Sequence, residues 1–309
     1  MGALKFNQVS QTMAQAMAAY EQLSAEKVRA KAQGQVLDAD KKAQLGDAIT
    51  YILSHADLIR IGAGSEFADL HDALSTGNKV DKVHPIQDKD DLKTRRLGGE
   101  NANKRTFALA VKNDDGSRDL LAVIYTHWSK QDMMLDGTVA PENIPGDVAS
   151  ILNEDIVDLD DDPNTVIFYS ISSFFPSAGP QLIKSLHAEF NKQAQTPFMS
   201  TLSPMRTFAG WLDEQGVDQF DDLSRDEKVT LVQDYLATGR DGVQNFHLSN
   251  GALIGDINLD SNAPGTADAE KGKGVMINYV YPRDPAVLVA QQNAYKADKM
   301  QAPHLRLSL

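Results

Sequence analysis

A chain of 309 residues suffices for one large domain or two smaller ones, and 42% apolar with 24% charged residues excludes a disordered or collagen-like protein. The 43 acids against 30 bases leave a net charge of −13, which repels nucleic acid and anionic membranes, so neither is an expected partner. Cysteine is absent, and with it disulfides, thiolate catalysis and Cys-ligated zinc or iron–sulfur centres.

The seven histidines form no H-E-x-x-H pattern, so no zinc-hydrolase site is expected. No apolar run approaches the ~20 residues of a spanning helix. Met1 to Phe6 carry no secretory apolar core, and the expected location is cytoplasmic.

In chain order, Val9, Met13, Ala16, Met17, Tyr20 and Leu23 recur at helical spacing and predict one buried stripe. Asp38 is a candidate cap for a second helix that buries Leu45, Ile49, Ile52 and Leu53. Ser65 is a candidate cap for a third, with Phe67, Leu70 and Leu74. Such a bundle serves more often as a scaffold subdomain than as a partner surface. Ser75 to Asp81, with Gly77-Asn78, is the first plausible boundary.

Beyond it, Thr106–Val111 and Leu120–Tyr125 flank the turn chemistry of Asn113–Gly116 and predict a β-hairpin. Gly146–Glu154 reads as a short helix. The acidic stretch 155–162 lacks the EF-hand spacing and reads as a solvated loop. Val166–Ser172 predicts a central strand, followed by a helix from Gln181 with Leu182, Leu186 and Phe190 inward. Strands are expected at Phe198–Leu202, Ala252–Leu259 and Val275–Tyr281, and helices near Phe208–Leu212, near Glu227–Leu236 and from Asp284-Pro285 onward. The order implies an α/β (α+β) fold with a mixed sheet flanked by helices. The division expected is a helical subdomain over residues 1–78 and a catalytic domain over 79–309.

Three places could carry chemistry. Small residues at Ser172, Ser173, Ser177, Ala178 and Gly179 would let backbone N–H groups and a helix N-terminus receive a phosphate, although such a junction alone is more often an ordinary tight connection. Ser203-Pro204 alone reads as a strand-ending turn. His247 beside the Asn250-Gly251 turn alone reads as a structural histidine.

Together, and with their neighbours, these segments resemble the malonyl-CoA decarboxylase family. Val83-His-Pro-Ile86 with Asp90-Asp-Leu-Lys93 resembles the entry to its catalytic domain, and Phe168-Tyr-Ser-Ile-Ser-Ser173 with Leu182-Ile-Lys184 its central strand and helix. Thr201-Leu-Ser-Pro204 with Phe208 and Trp211-Leu212, then Asn245-Phe-His-Leu248 with Asn250-Gly-Ala252 and Ile257-Asn258, follow the family's order. Met276-Ile-Asn-Tyr-Val-Tyr281 and Asn293-Ala-Tyr295 complete a match over residues 80–309.

The resemblance implies a GNAT-like fold with the CoA pyrophosphate on amides at Ser172, Ser173, Ala178 and Gly179. It also implies catalytic Ser203, His247 and Tyr281, with Asn258 and Asn278 near the pocket. The implied reaction takes malonyl-CoA, or malonyl on an acyl carrier protein, to the acetyl thioester and CO2 through an enolate. It needs no metal or organic cofactor, and His247 is expected to act as an acid of near-neutral pKa. Family members often assemble through helical domains, so a homo-oligomer is compatible.

Two departures stand out. The family's loop after the central strand carries a G-x-E-L-G glutamate, whereas Phe174–Pro180 is shorter and contains no acid. The usual I-P-G after the serine is Met205-Arg206-Thr207, where Arg206 is either a clamp for an acidic acyl group or phosphate, or a surface arginine at a helix start. These departures keep an acyltransferase on the same fold as the alternative, and a non-catalytic acyl-CoA binder as a third reading.

Overall fold

The structure is a computed structural model. It describes residues 12–62, 89–99, 101–133, 139, 143–144, 146–160, 162–193, 195–261 and 267–298. The expected third helix at Ser65–Leu74, the boundary at Ser75–Asp81 and the Val83–Ile86 segment lie outside those residues.

Two helices open the described chain. Helix α1 (Met13–Ala32) starts in a capping box between Thr12 and Gln15, and α2 (Ala39–Ser54) is capped by the Asp38 carboxylate, which accepts from Asp40 and Lys41 N–H. Within the stretch expected to be wholly helical, Ala56–Ile61 instead forms strand β1, paired antiparallel along its whole length to the next strand. Short helix α3 spans Lys89–Arg96. Strands β2 (Lys104–Lys112) and β3 (Arg118–Ser129) make the expected hairpin, α4 covers Val148–Asn153, and β4 (Thr165–Ser173) is the expected central strand.

Helix α5 runs from Ala178 to Phe190, strand β5 from Phe198 to Thr201, and the two-residue β6 holds Ser203 and Pro204. Then come α6 (Phe208–Gln215), α7 (Arg225–Ala237), α8 (Gly242–Ser249), β7 (Leu253–Asn258), α9 (Ala267–Gly272), β8 (Met276–Tyr281) and α10 (Pro285–Ala297). Pro285 occupies the first turn of α10 behind an Asp284 cap, as the sequence implies.

The strands form one mixed sheet in the order β1-β2-β3-β4-β5-β8-β6, with β7 on β8. Neighbours are antiparallel except β4 and β5, which run parallel. The apolar runs of β2, β3 and β4 are continuous because both faces are covered. Phe107, Leu109 and Val111 pack in one cluster with Leu182, Leu186 and Phe190 of α5, together with Met13, Ala16 and Ile52 of the first two helices. Ala108 and Ala110 face the other cluster, with Leu92 of α3 and Val148 and Ile151 of α4.

One irregularity creates the site. The β4–β5 pairing lasts only from Thr165↔Phe198 to Phe168↔Thr201, while β4 continues to Ser173 paired to β3 alone. Leu202 N–H still reaches Phe168 C=O at 3.1 Å; beyond it the two strands part. Strand β5 meets β8 through Met199↔Tyr281 and Ser200↔Val280, and β6 meets it through Ser203↔Ile277.

Candidate active site

The wedge between the parting strands is a cavity of about 460 Å³. Phe168 to Ile171 and Ser173 form one wall, Leu202 to Pro204 the other, and α8 closes it with Val243, Phe246 and His247. Helix α8 begins at an Asp241 cap, whose Oδ1 accepts from Val243 N–H at 2.7 Å and Gln244 N–H at 2.9 Å.

Inside the cavity Ser203 Oγ lies 3.1 Å from His247 Nε2, and His247 Nδ1 lies 2.8 Å from the Tyr281 hydroxyl. All three side chains are buried. Burial pushes the imidazole down to about 3, so it is neutral near pH 7 and carries a single N–H. Burial also drives the Tyr281 phenol well above its ordinary range, so its proton stays and is donated to Nδ1. The remaining imidazole proton therefore sits on Nε2 and points at Ser203, whose own hydroxyl donates to Thr201 Oγ1 at 3.0 Å. The result is a one-way chain of donors, Tyr281 to His247 to Ser203. Burial alone accounts for the lowered imidazole, and both of its ring nitrogens meet hydroxyl groups.

The supports of this chain were not anticipated from sequence. The Tyr279 ring stacks on the imidazole at 4.7 Å and 19°, and its N–H donates to Thr201 Oγ1. Past Ser203, the Thr207 hydroxyl hydrogen-bonds the Tyr235 hydroxyl, which donates to Asp241 Oδ2 at 3.0 Å. Asp241 is 1% exposed, so this carboxylate ties the turn after the serine to the start of the histidine's helix.

Of the other expected residues, Ser173 and Arg206 line the cavity, and Ser172, Ala178, Gly179, Asn258 and Asn278 do not. Asn258 donates to Asn278 Oδ1 at 2.7 Å, and Asn278 donates to Thr201 C=O at 2.7 Å, so this pair braces β7, β8 and the end of β5.

At the start of α5, where an amide cradle was expected, the N–H groups have partners within the protein. Ala178 N–H goes to Phe175 C=O, Gly179 N–H to Ser173 Oγ, Pro180 has none, and Gln181 N–H goes to Ser177 C=O. Small residues there serve packing instead. A Cβ on Gly179 would stand 3.3 Å from the Phe246 ring, so its absence lets α8 seat against α5. A second cleft of about 350 Å³ shares Phe246 with the cavity and carries Lys184 and Lys296 beside Gln181.

Fold and site together define a mixed α/β protein with a buried tyrosine–histidine–serine chain at a strand wedge. Three crystal structures of malonyl-CoA decarboxylases share this fold. That from Rhodopseudomonas palustris is 21% identical with a TM-score of 0.64, the match covering 94% of this chain and 75% of that one. That from Agrobacterium vitis is 21% identical with a TM-score of 0.63, over 86% and 70%. That from Cupriavidus metallidurans is 19% identical with a TM-score of 0.62, over 97% and 78%. No family model matches the chain, and no curated protein matches its sequence.

Proposed function

We propose that the protein is an enzyme that decarboxylates malonyl-CoA, or a related malonyl thioester, to the acetyl thioester and CO2. The observation that carries this reading is the donor chain that reaches Ser203 inside a cavity walled in part by Phe168, Ile171, Leu202, Val243 and Phe246. The fold it shares with malonyl-CoA decarboxylases supports it.

Breaking the carboxylate's C–C bond moves its electron pair onto the thioester carbonyl, and an enolate oxygen becomes the new anion. Fixed donors in a dry cavity stabilise that developing charge. Ser203 turns its hydroxyl from Thr201 to this oxygen, and His247 Nε2–H behind it keeps the hydroxyl polarised. An anion arriving beside the imidazole also raises its affinity for a proton. The proton taken up with substrate is then available to the enolate carbon, which completes the acetyl group. The carboxylate leaves as neutral CO2. Every step uses side chains already in place.

The CoA diphosphate is assigned to the ammonium groups of Lys184 and Lys296 rather than to backbone amides, and the pantetheine arm runs past Phe246 into the wedge. An acyltransferase would need a base to deprotonate an ammonium acceptor. His247, pushed down to about 3, is a poor one, and no carboxylate is among the described residues lining the cavity. The lyase is therefore the better reading.

Mass spectrometry of malonyl-CoA incubated with the protein should show acetyl-CoA formed without any acceptor. Ser203→Ala and His247→Ala should each lower turnover at least ~10²-fold, the scale of losing a transition-state donor or an acid. Unchanged substrate, on CoA and on acyl carrier protein alike, would overturn the proposal.

A further inference from the structure

Thr201 closes strand β5 at the point where β4 and β5 part, and its side chain is wholly buried. The neighbouring strand β8 pins it twice: Tyr279 N–H donates to its Oγ1 at 3.1 Å, and Asn278 Nδ2 donates to its C=O at 2.7 Å. A β-branched side chain held in this way has little freedom at χ1. The oxygen so fixed keeps a second lone pair, and it takes the Ser203 hydroxyl, which donates to it at 3.0 Å.

Among the described residues, Thr201 Oγ1 and His247 Nε2 are the groups within hydrogen-bond reach of Ser203 Oγ. The serine has one proton to give. Given to Nε2, it would require the imidazole's proton on Nδ1, aimed at the Tyr281 oxygen, and the buried phenol proton would have no acceptor among the described residues. That is the polarity of a hydrolytic pair, in which the serine is a nucleophile and the imidazole its base. Given to Thr201, it leaves a lone pair of Ser203 for the Nε2 proton, and each donor from Tyr281 to Ser203 has an acceptor.

We propose that Thr201 is a positioning residue that fixes the polarity of the Ser203–His247 contact: by taking the serine's proton, it makes the imidazole donate to the serine instead of accepting from it. Thr201 acts through Ser203, whose proton swings from it to the developing oxyanion with Nε2–H already in place behind. The effect on turnover rests on the decarboxylase reading above, and the effect on the imidazole proton does not. Because the polarity serves the enolate more than the bound thioester, it belongs to kcat more than to KM.

Thr201→Val keeps the shape of the side chain and removes the acceptor, and Thr201→Ser keeps the acceptor. The ¹⁵N spectrum of the protein without substrate should place the His247 proton on Nε2 in the parent and in Thr201→Ser, and on Nδ1 in Thr201→Val. Acetyl-CoA formation from malonyl-CoA should fall at least ~10-fold in kcat in Thr201→Val, with KM within about twofold of the parent, and Thr201→Ser should recover most of the loss. Should Thr201→Val not fold, because Tyr279 N–H loses its partner as well, Thr201→Cys puts a weak acceptor in the same place and should move the proton in the same direction. A proton that stays on Nε2 in Thr201→Val, or one already on Nδ1 in the parent, would overturn the proposal. So would a fall in kcat as deep in Thr201→Ser as in Thr201→Val, because the lost methyl packing would then be the cause. If the parent forms no acetyl-CoA while the tautomers follow the expected pattern, the decarboxylase reading falls and the assignment of Thr201 stands.

Discussion

His247 has no carboxylate partner, unlike the histidine of a hydrolytic triad; a tyrosine and a serine hold its two nitrogens, and burial keeps it neutral. In the protein without substrate, the neutral imidazole has one N–H to donate. Tyr281 sets which nitrogen carries the proton. Tyr281→Phe should leave Nδ1 without its donor, at a cost of about 1–3 kcal/mol in urea unfolding, and let the proton move to Nδ1. The ¹⁵N spectrum of His247 should report that tautomer change, and turnover should fall with it.

The same burial sets a pH dependence. The unfolded chain protonates this histidine near pH 6.5, whereas the folded chain resists until about 3. Between those values the unfolded state binds more protons, so stability falls as pH falls, by up to about 1.4 kcal/mol per unit from this one group. His247→Gln should flatten the stability profile between pH 6.5 and 4. For the same reason kcat/KM, which reports the free enzyme, should show no His247 titration between pH 5 and 8.

Among the elements, α8 matters most, because it delivers the histidine and closes the cavity. Its eight residues contain too few apolar positions for a helical period, and the Asn250-Gly251 turn dominates the local pattern, so His247 reads from sequence as a turn neighbour. An aspartate directly before the helix, Asp241, is the local signal that marks its start, and the sequence reading passed over it. Asp241→Ala should cost about 1 kcal/mol from the lost cap. It also strips the acceptor from the Tyr235 hydroxyl, so turnover should drop further than Asp241→Asn lowers it. Urea unfolding and steady-state kinetics on both variants check this.

Legibility followed the range of the interactions. The β2–β3 hairpin was plain because its turn chemistry is local. The segment Ala56–Ile61 was not, because a strand beside a helical pattern is fixed by its distant partner β2. Ser203, His247 and Tyr281 were singled out through the order of their motifs, and the structure brings their side chains together. Small residues at the start of α5 permit a close approach without saying what approaches; within the protein, Ser173 Oγ and Phe246 approach Gly179.

At the scale of the molecule, a net charge of −13 coexists with a cleft that carries Lys184 and Lys296. If Lys184 and Lys296 hold the phosphates, Lys184→Gln and Lys296→Gln should each raise KM for malonyl-CoA. The same variants should treat malonyl-pantetheine, which has no phosphate, as the parent does. Added salt should weaken the first substrate and spare the second. Equal effects on both substrates would move the phosphates elsewhere.

The bracing of Thr201 by Tyr279 carries a further consequence, for the order in which the chain folds. The two residues are 78 positions apart, and Ser203, Tyr281 and the helix between them come together only when that long loop closes. The hairpin and helices demand no such search, whereas closure of a long loop costs entropy before any contact repays it. The tyrosine–histidine–serine chain is thus among the last features a nascent molecule acquires, and a partly folded protein can hold most of its secondary structure while lacking the candidate site altogether.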